Sequence, residues 1–131
     1  MLKGRCLCGD ISYTLQDGLL FMYHCHCEQC RAFSGSSFAT NAVIAAAGFE
    51  LNDPKGSLGS YATESGTRNF CRYCGSPIYS YAKGKEAFPS LHCGGIAGFP
   101  DKKLDANLWV SEKCPWVSID ESVKNYAKAL E

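Results

Sequence analysis

The sequence predicts a mainly β fold of short antiparallel sheets with a short helix at the C-terminal end. Three observations indicate this: apolar segments of strand length recur along the chain, turn-forming residues separate them, and helical periodicity is confined to the last residues. At 131 residues the chain is long enough for one hydrophobic core. We therefore expect a single domain spanning residues 1–131.

Seven segments have the apolar pattern of strands. In "DISYTL", Ile11, Tyr13 and Leu15 alternate with polar neighbours, whereas "LLFMYHC" is a continuous apolar run typical of a buried strand. The other five are "SFATNAVIAAA", "TRNFC", "SPIYSYA", "FPSLHC" and "NLWVS". Between the segments, "NDPKGS", "ESG", "AKGKEA" and "GFPDKK" carry the Gly, Pro, Asn and Asp that form turns.

The predicted helix follows "PWVSIDES", where Ser118 or Asp120 is a candidate N-cap. Apolar residues then recur at helical spacing: Val123, Tyr126, Ala127 and Leu130. This pattern predicts a helix that packs its apolar side against the sheets.

The charges exclude some classes of partner. Thirteen basic and thirteen acidic side chains cancel, and no basic stripe is present, so we expect no nucleic-acid binding. The first residues lack the apolar core of a signal peptide, and no apolar run approaches membrane-spanning length. We therefore expect a cytoplasmic protein that does not bind membranes.

Nine cysteines are the most informative feature. In a reducing compartment, clustered cysteines are more often metal ligands or catalysts than disulfides, and the odd number supports this interpretation. Cys93 and Cys114 stand alone. The other seven form three groups: Cys6 and Cys8; Cys25, Cys27 and Cys30; and Cys71 and Cys74. Four thiolates complete a tetrahedral zinc site, whereas three leave one position open.

The two outer pairs resemble halves of one site, because each is followed by glycine and then by a strand-like segment. A glycine there would relieve the crowding that a Cβ atom brings to a tight turn. We assign Cys6, Cys8, Cys71 and Cys74 to a structural zinc around which the sheets are organised; buried free cysteines are the alternative. Bound zinc of this kind contributes on the order of 10 kcal/mol of apparent folding free energy.

The middle group, "HCHCEQC", predicts a different kind of site. If "YHCHC" is extended, Cys25 and Cys27 lie on one side, and His24 and His26 project to the other, which makes histidine a poor fourth ligand. Cys30 can reach the same metal ion if "CEQCRAF" forms one helical turn. The three sulfurs would then bind a catalytic zinc with an open position for water or an incoming thiol.

A closed four-sulfur site is the alternative. Cys93 or Cys114 could supply the fourth sulfur, and the two glycines after Cys93 would permit close approach to a metal ion. Spacing alone does not decide between the open and the closed site.

Taken in order, "GRCLCGDISY", "YHCHCEQCRAFSGSSF", "FCRYCGSPIYS" and "LWVSEKCPWVSI" resemble the glutathione-dependent formaldehyde-activating enzyme family, whose domain is related to centromere protein V. The resemblance covers nearly the whole chain. It implies a mainly β fold with the structural and catalytic zinc sites assigned above. It also implies the addition of glutathione to formaldehyde, giving S-hydroxymethylglutathione, a reaction classed with the carbon–sulfur lyases. Two residues depart from the family pattern: Cys114 replaces a small apolar residue, and Asn107 stands where many relatives have histidine.

Three arginines close to the cysteine groups are candidates for binding substrate carboxylates: Arg31, Arg68 and Arg72. They would also offset the formal negative charge that three thiolates leave on a zinc site. The alternative is that they are solvated surface residues.

Two other classes of function stay open. In a binding module, both zinc ions would only shape a surface for a protein partner. In a redox protein, Cys93 or Cys114 would react, although neither belongs to a C-x-x-C pair. Binding of an exogenous thiol would discriminate the enzyme from the binding module. The sequence does not indicate an oligomeric state.

Overall fold

The computed structural model describes residues 1–98 and 100–130. Its described part is mainly β, as predicted, and contains eleven strands, one α-helix (α1, Glu28–Ser34) and three short 3-10 turns. The strands are β1 (Leu2–Arg5), β2 (Ser12–Leu15), β3 (Phe21–Cys25), β4 (Ala39–Val43), β5 (Phe49–Asn52), β6 (Leu58–Ala62), β7 (Gly66–Cys71), β8 (Pro77–Ala82), β9 (Ser90–His92), β10 (Ala106–Leu108) and β11 (Lys124–Asn125). No helix in this part of the chain has the length and apolarity needed to span a bilayer.

The strands form two sheets. The smaller has the order β1-β2-β5 and is antiparallel throughout. The larger has the order β11-β10-β3-β4-β9-β8-β7-β6. It is antiparallel except at β10, which pairs in parallel with both β3 and β11. The predicted antiparallel arrangement is therefore confirmed for most of the chain but is wrong at this C-terminal edge.

The main core lies where residues of both sheets meet. Ile11 and Leu15 of the predicted alternation are fully buried, and they belong to one cluster with Ile44, Ile78 and Leu91. Cys6 and Cys71 are part of the same cluster. Two of the nine cysteines are thus part of this hydrophobic core, whereas Cys8 is exposed and Cys74 is half-buried.

Each of the seven predicted strand segments overlaps a strand. The pattern did not indicate β1, β5, β6 or β11. β1, β5 and β11 have four residues or fewer, and β6 contains a glycine and little apolar alternation, so the local signal is weak.

The predicted C-terminal helix is wrong. The segment instead contains turns, bends and the two-residue strand β11, and it pairs with the chain around β10. The Tyr126 N–H donates to the Asn107 carbonyl (2.9 Å), and the Val110 N–H donates to the Tyr126 carbonyl (3.0 Å). The candidate cap Asp120 accepts the N–H of Ser122 (2.9 Å) in a local turn that starts no helix. Leu130 remains 45% exposed. The backbone N–H and C=O groups of this segment therefore bond to the chain around β10 and not to one another in a helix. The periodicity of the side chains does not reveal this pairing.

Candidate metal centres and the adjoining cavity

The four cysteines of the outer pairs meet in space. The sulfur atoms of Cys6, Cys8, Cys71 and Cys74 all lie within 4.8 Å of one another. The Cys6–Cys8 and Cys8–Cys71 sulfur distances are 3.6 and 3.8 Å. A tetrahedron with Zn–S bonds of about 2.3 Å separates its sulfurs by about 3.8 Å. The donor set and its spacing therefore fit zinc.

Glycine is required in both turns of this centre for a conformational reason. Gly9 and Gly75 directly follow the second cysteine of each pair and have φ angles of 83° and 80°. A Cβ atom on Gly75 would meet no other atom within 4 Å. The turns therefore need the left-handed backbone that glycine adopts freely, and the crowding expected from the sequence is not the reason.

Ser76 connects the two halves of the four-cysteine centre. Its hydroxyl accepts the backbone N–H of Leu7 (2.9 Å) and lies 3.3 Å from the Cys74 sulfur. On the other side, the N–H of Ile11 donates to the Cys6 sulfur (3.4 Å). These contacts hold the sulfurs in place from two parts of the chain that are far apart in sequence.

The three cysteines of the middle group also meet. The sulfurs of Cys25, Cys27 and Cys30 lie within 4.8 Å of one another, and those of Cys25 and Cys27 are 3.4 Å apart. Cys27 is the N-cap of α1, and its sulfur accepts the backbone N–H of Cys30 (3.4 Å). The helical turn expected after Cys27 is thus present and brings Cys30 back to the other two sulfurs.

Neither isolated cysteine joins this group. In the described part of the chain, the set of sulfurs within 4.8 Å of one another contains only the three. The Cys93 thiol faces the Leu91 carbonyl (3.8 Å), and the Cys114 thiol faces the Ser37 carbonyl (4.0 Å). The geometry favours the open site over the closed alternative.

Both histidines lie away from the three sulfurs, as the alternation predicts. The His24 ring packs on Phe38, with 4.3 Å between ring centroids. His26 is fully buried, and its Nε2 atom is 3.2 Å from Oδ1 of Asn107. Asn107 thus contacts His26 from β10, next to β3, the strand that ends at Cys25.

The three cysteines line a cavity of about 630 Å³. Tyr23, Asn41, Arg68 and Trp109 line it as well. A second cavity, of about 660 Å³, lies beside Cys6 and is bordered by Arg5 and His92, but the three cysteines do not line it. The cavity lined by the three cysteines is therefore the candidate substrate site.

Of the three candidate substrate arginines, only Arg68 lines this cavity. Its two terminal nitrogens are each 3.8 Å from the Cys30 sulfur, and its guanidinium lies over the Phe33 ring at 5.3 Å. The Arg31 Nε–H donates to the His26 carbonyl (3.1 Å), and exposed Arg72 donates to the Gly56 carbonyl (2.6 Å). Arg31 and Arg72 thus support local backbone, and Arg68 places a positive charge beside the sulfurs.

Hydrogen bonds and burial shift the pKa values of two groups in the cavity, in opposite directions. The Cys25 thiol and the Cys30 N–H donate to the Cys27 sulfur, and together with Arg68 they hold the pKa of Cys27 well below that of a free thiol. Burial raises the pKa of Tyr23 to about 12. Cys27 is therefore the readiest thiolate, and Tyr23 keeps its proton at neutral pH.

Trp109 has an unusual backbone. Its φ of 57° is the only positive φ at a non-glycine position in the described residues. Its side chain packs against the cluster containing Cys25 and Cys30. Left-handed backbone at a bulky residue persists only when the surroundings impose it, and such strain is concentrated at functional sites.

Among the lining residues that the sequence interpretation did not name are Tyr23, Asn41, Ser90 and Trp109. A signal existed for Tyr23, because it lies two residues before Cys25 on the same side of an extended strand. Asn41 and Trp109 lie on other strands or turns, and only the fold brings them close to the cysteines.

The fold and the site define a class: small, mainly β proteins with two cysteine centres suited to metal ions. Within it, the chain belongs to the glutathione-dependent formaldehyde-activating enzyme family, whose model matches residues 1–112. Its fold is similar to a crystal structure of a Rhodobacter sphaeroides protein, with a TM-score of 0.62 and 20% identity over 76% of this chain and 91% of the other. A search of curated proteins returned no match.

Proposed function

We propose that this chain is a zinc-dependent enzyme of the carbon–sulfur lyase type. It adds a small thiol, glutathione in the reaction that names the family, to formaldehyde or a related aldehyde, and it also catalyses the reverse reaction. The observation that carries this proposal is a group of three thiols in the wall of an open cavity, with no fourth ligand sulfur grouped with them among the residues that the structure describes. We propose the reducing cytoplasm as its location, because clustered cysteines in that compartment are more often metal ligands than disulfides.

The reaction joins a sulfur to a carbonyl carbon. The S–C bond forms, the π electron pair of the C=O bond moves to oxygen, and the proton of the substrate thiol ends on that oxygen. Zinc held by Cys25, Cys27 and Cys30 would retain the substrate thiol as a thiolate. A second zinc held by Cys6, Cys8, Cys71 and Cys74 would be structural.

The residues around the cavity supply binding and charge. Three thiolates make the site negative, and the Arg68 guanidinium next to Cys30 offsets that charge when an anionic substrate enters. Phe33 and Gln29 hold the guanidinium in this position, through the ring contact at 5.3 Å and a hydrogen bond at 3.3 Å. Arg68 is accordingly our candidate for contact with the substrate, in preference to Arg31 and Arg72.

Catalysis can be tested by exchange NMR with isotope-labelled formaldehyde and glutathione. The uncatalysed adduct forms on its own, so the measured quantity is the exchange rate between free and bound formaldehyde, at an unchanged equilibrium. We expect the rate to rise in proportion to the concentration of zinc-loaded protein, and the Cys27→Ser variant to give no increase. A rate independent of protein concentration, with glutathione and with other small thiols, would reject the enzyme.

A protein-binding module is the second candidate, and one observation favours it. Leu7 and Tyr73 lie between the paired cysteines of the four-cysteine centre, and each is 79% exposed. Apolar side chains displayed on two turns of a metal site can bind a protein partner. A module of this kind would bind no exogenous thiol at the three-cysteine centre, whereas the enzyme would. A redox role has less support, because burial raises the pKa of Cys93 to about 11 and Cys114 is buried.

A further inference from the structure

We propose that Tyr23, Ser90 and Asn41 form a binding site for the oxygen atom of the carbonyl substrate and of its hydroxymethyl product. This inference rests on the proposed function and adds to it the residues that recognise the oxygen. The three side chains all line the cavity of the three-cysteine centre. We refer to them as the oxygen site.

The sheet brings the oxygen site together. Tyr23 lies on β3, two residues before Cys25, so both side chains point to the same side. Asn41 pairs directly with Tyr23 across β3 and β4, and Ser90 pairs with Val43 across β4 and β9. The Tyr23 and Ser90 hydroxyls are 2.7 Å apart. Three neighbouring strands thus fix the site without using a flexible loop.

Asn41 carries an unmet hydrogen-bonding demand. Its side chain is 3% exposed, and its Oδ1 atom has no hydrogen-bond partner among the described residues. A buried acceptor without a partner costs about 1–3 kcal/mol, so such atoms call for an explanation. An O–H group of a ligand in the cavity would satisfy this acceptor.

The oxygen site matches what the reacting oxygen needs. When the C=O electron pair moves onto oxygen, the oxygen requires a hydrogen-bond donor, and the Tyr23 hydroxyl can donate with Ser90 behind it. Once protonated, the oxygen requires an acceptor, which Asn41 Oδ1 supplies. Tyr23 packs against Cys25 and Cys30, and in the adduct the oxygen is only two bonds from the substrate sulfur. A thiol bound beside these cysteines therefore carries its oxygen towards Tyr23.

The first experiment compares Tyr23→Phe with Tyr79→Phe in the exchange NMR assay. Tyr79 lies on β8 and packs against the main core, so its variant removes the same hydroxyl outside the cavity. We expect about a 100-fold loss of catalysed rate in Tyr23→Phe, within the range for one oxyanion donor, and less than about a twofold change in the control. Zinc content and melting temperature should match the wild type in both. An unchanged rate in Tyr23→Phe would overturn the inference.

The second experiment does not depend on turnover. Isothermal titration measures binding to zinc-loaded protein of mercaptoethanol, a stable thiol whose oxygen is one bond farther from sulfur than in the adduct, and of propanethiol, its isosteric partner without a hydroxyl. We expect the wild type to bind mercaptoethanol about tenfold more tightly, and Tyr23→Phe to lose most of this preference while keeping its affinity for propanethiol. Equal affinities in the wild type would overturn the oxygen site while leaving the thiol site standing. If neither thiol bound, the proposed function would fail and the oxygen site with it.

Discussion

The two cysteine centres differ in how far apart their ligands lie in the sequence. Cys8 and Cys71 are 63 residues apart, yet their sulfurs are 3.8 Å from each other. Cys25 and Cys30 come from one strand end and the first turn of the helix that follows it. The first centre therefore ties distant parts of the chain together, whereas the second is a local motif that the fold presents to a cavity.

The two centres also differ in the burial of their cysteines and in the side chains around them. Cys6 and Cys71 are buried in the main core, and the nearby Arg72 donates to a backbone carbonyl. At the three-cysteine centre, Arg68 faces a sulfur, and polar side chains line an open cavity. This difference supports our proposal that the first centre stabilises the fold and that the second binds substrate.

The largest expected effect is that of Cys71→Ser. Loss of one structural ligand removes metal-linked stability of about 10 kcal/mol, which is comparable with the whole stability of a small domain. We expect the variant to be unfolded or insoluble, as judged by circular dichroism and zinc content, and Cys6→Ser to behave alike. Soluble protein with an unchanged melting curve would refute the structural assignment.

Cys27→Ser should separate the two centres. Serine is a good N-cap, so α1 keeps its cap, but the second metal site loses a ligand. We expect the melting temperature to change by only a few degrees, while the zinc content falls from two ions per chain to one. Retention of both ions, measured by mass spectrometry of the native protein, would show that Cys27 is not a ligand.

Arg68→Gln tests the charge at the cavity. An incoming thiolate adds negative charge to a centre that already contains three thiolates, and Arg68 is the cation that contacts one of them. We expect glutathione to bind about tenfold more weakly, because the variant loses the electrostatic attraction between the Arg68 guanidinium and the bound thiolate, which solvent partly screens. The exposed Arg72→Gln is the matched control and should leave this affinity unchanged.

Trp109 can report the glutathione titration. It lines the cavity, and the only other tryptophan, Trp116, is 75% exposed. In a Trp116→Phe background, the tryptophan fluorescence therefore comes from Trp109 alone. Equal glutathione affinities for the Arg68→Gln and Arg72→Gln variants would remove Arg68 from the substrate site.

A smaller effect is expected for Gly75→Ala. Alanine at a φ of 80° costs about 1 kcal/mol, because its Cβ atom disfavours the left-handed region, although there is space for it. Gly94→Ala is the control, since Gly94 also has open space but no positive φ. Urea unfolding should show a loss of stability for the first variant and a change within about 0.5 kcal/mol for the second. Equal stabilities would contradict the conformational account of this turn.

The sequence predicted the parts of the molecule that depend on short-range patterns. Alternation around Tyr13 identified a strand, and the alternation of Cys25 and Cys27 with the histidines predicted which side chains share a face. The matching turns after Cys8 and Cys74 indicated two halves of one centre before any contact between them was known.

The errors come from contacts between distant residues. The C-terminal segment has helical periodicity, but its backbone pairs with β10, which no local pattern encodes. The same reason explains why Arg68 was not distinguished from Arg31 and Arg72: all three lie close to cysteines in sequence, but only one points into the cavity. Asn41 was missed because its importance depends on the pairing of β3 with β4.

X-ray absorption at the zinc edge tests the central claim, that one centre is closed and the other open, most directly. Four sulfurs at one centre and three at the other average to about 3.5 per zinc ion in the fully zinc-loaded protein. We predict this value for the resting protein and a rise towards four when glutathione is added, because the substrate sulfur completes the second centre. An average of four before any thiol is added would contradict the open site and favour the binding module.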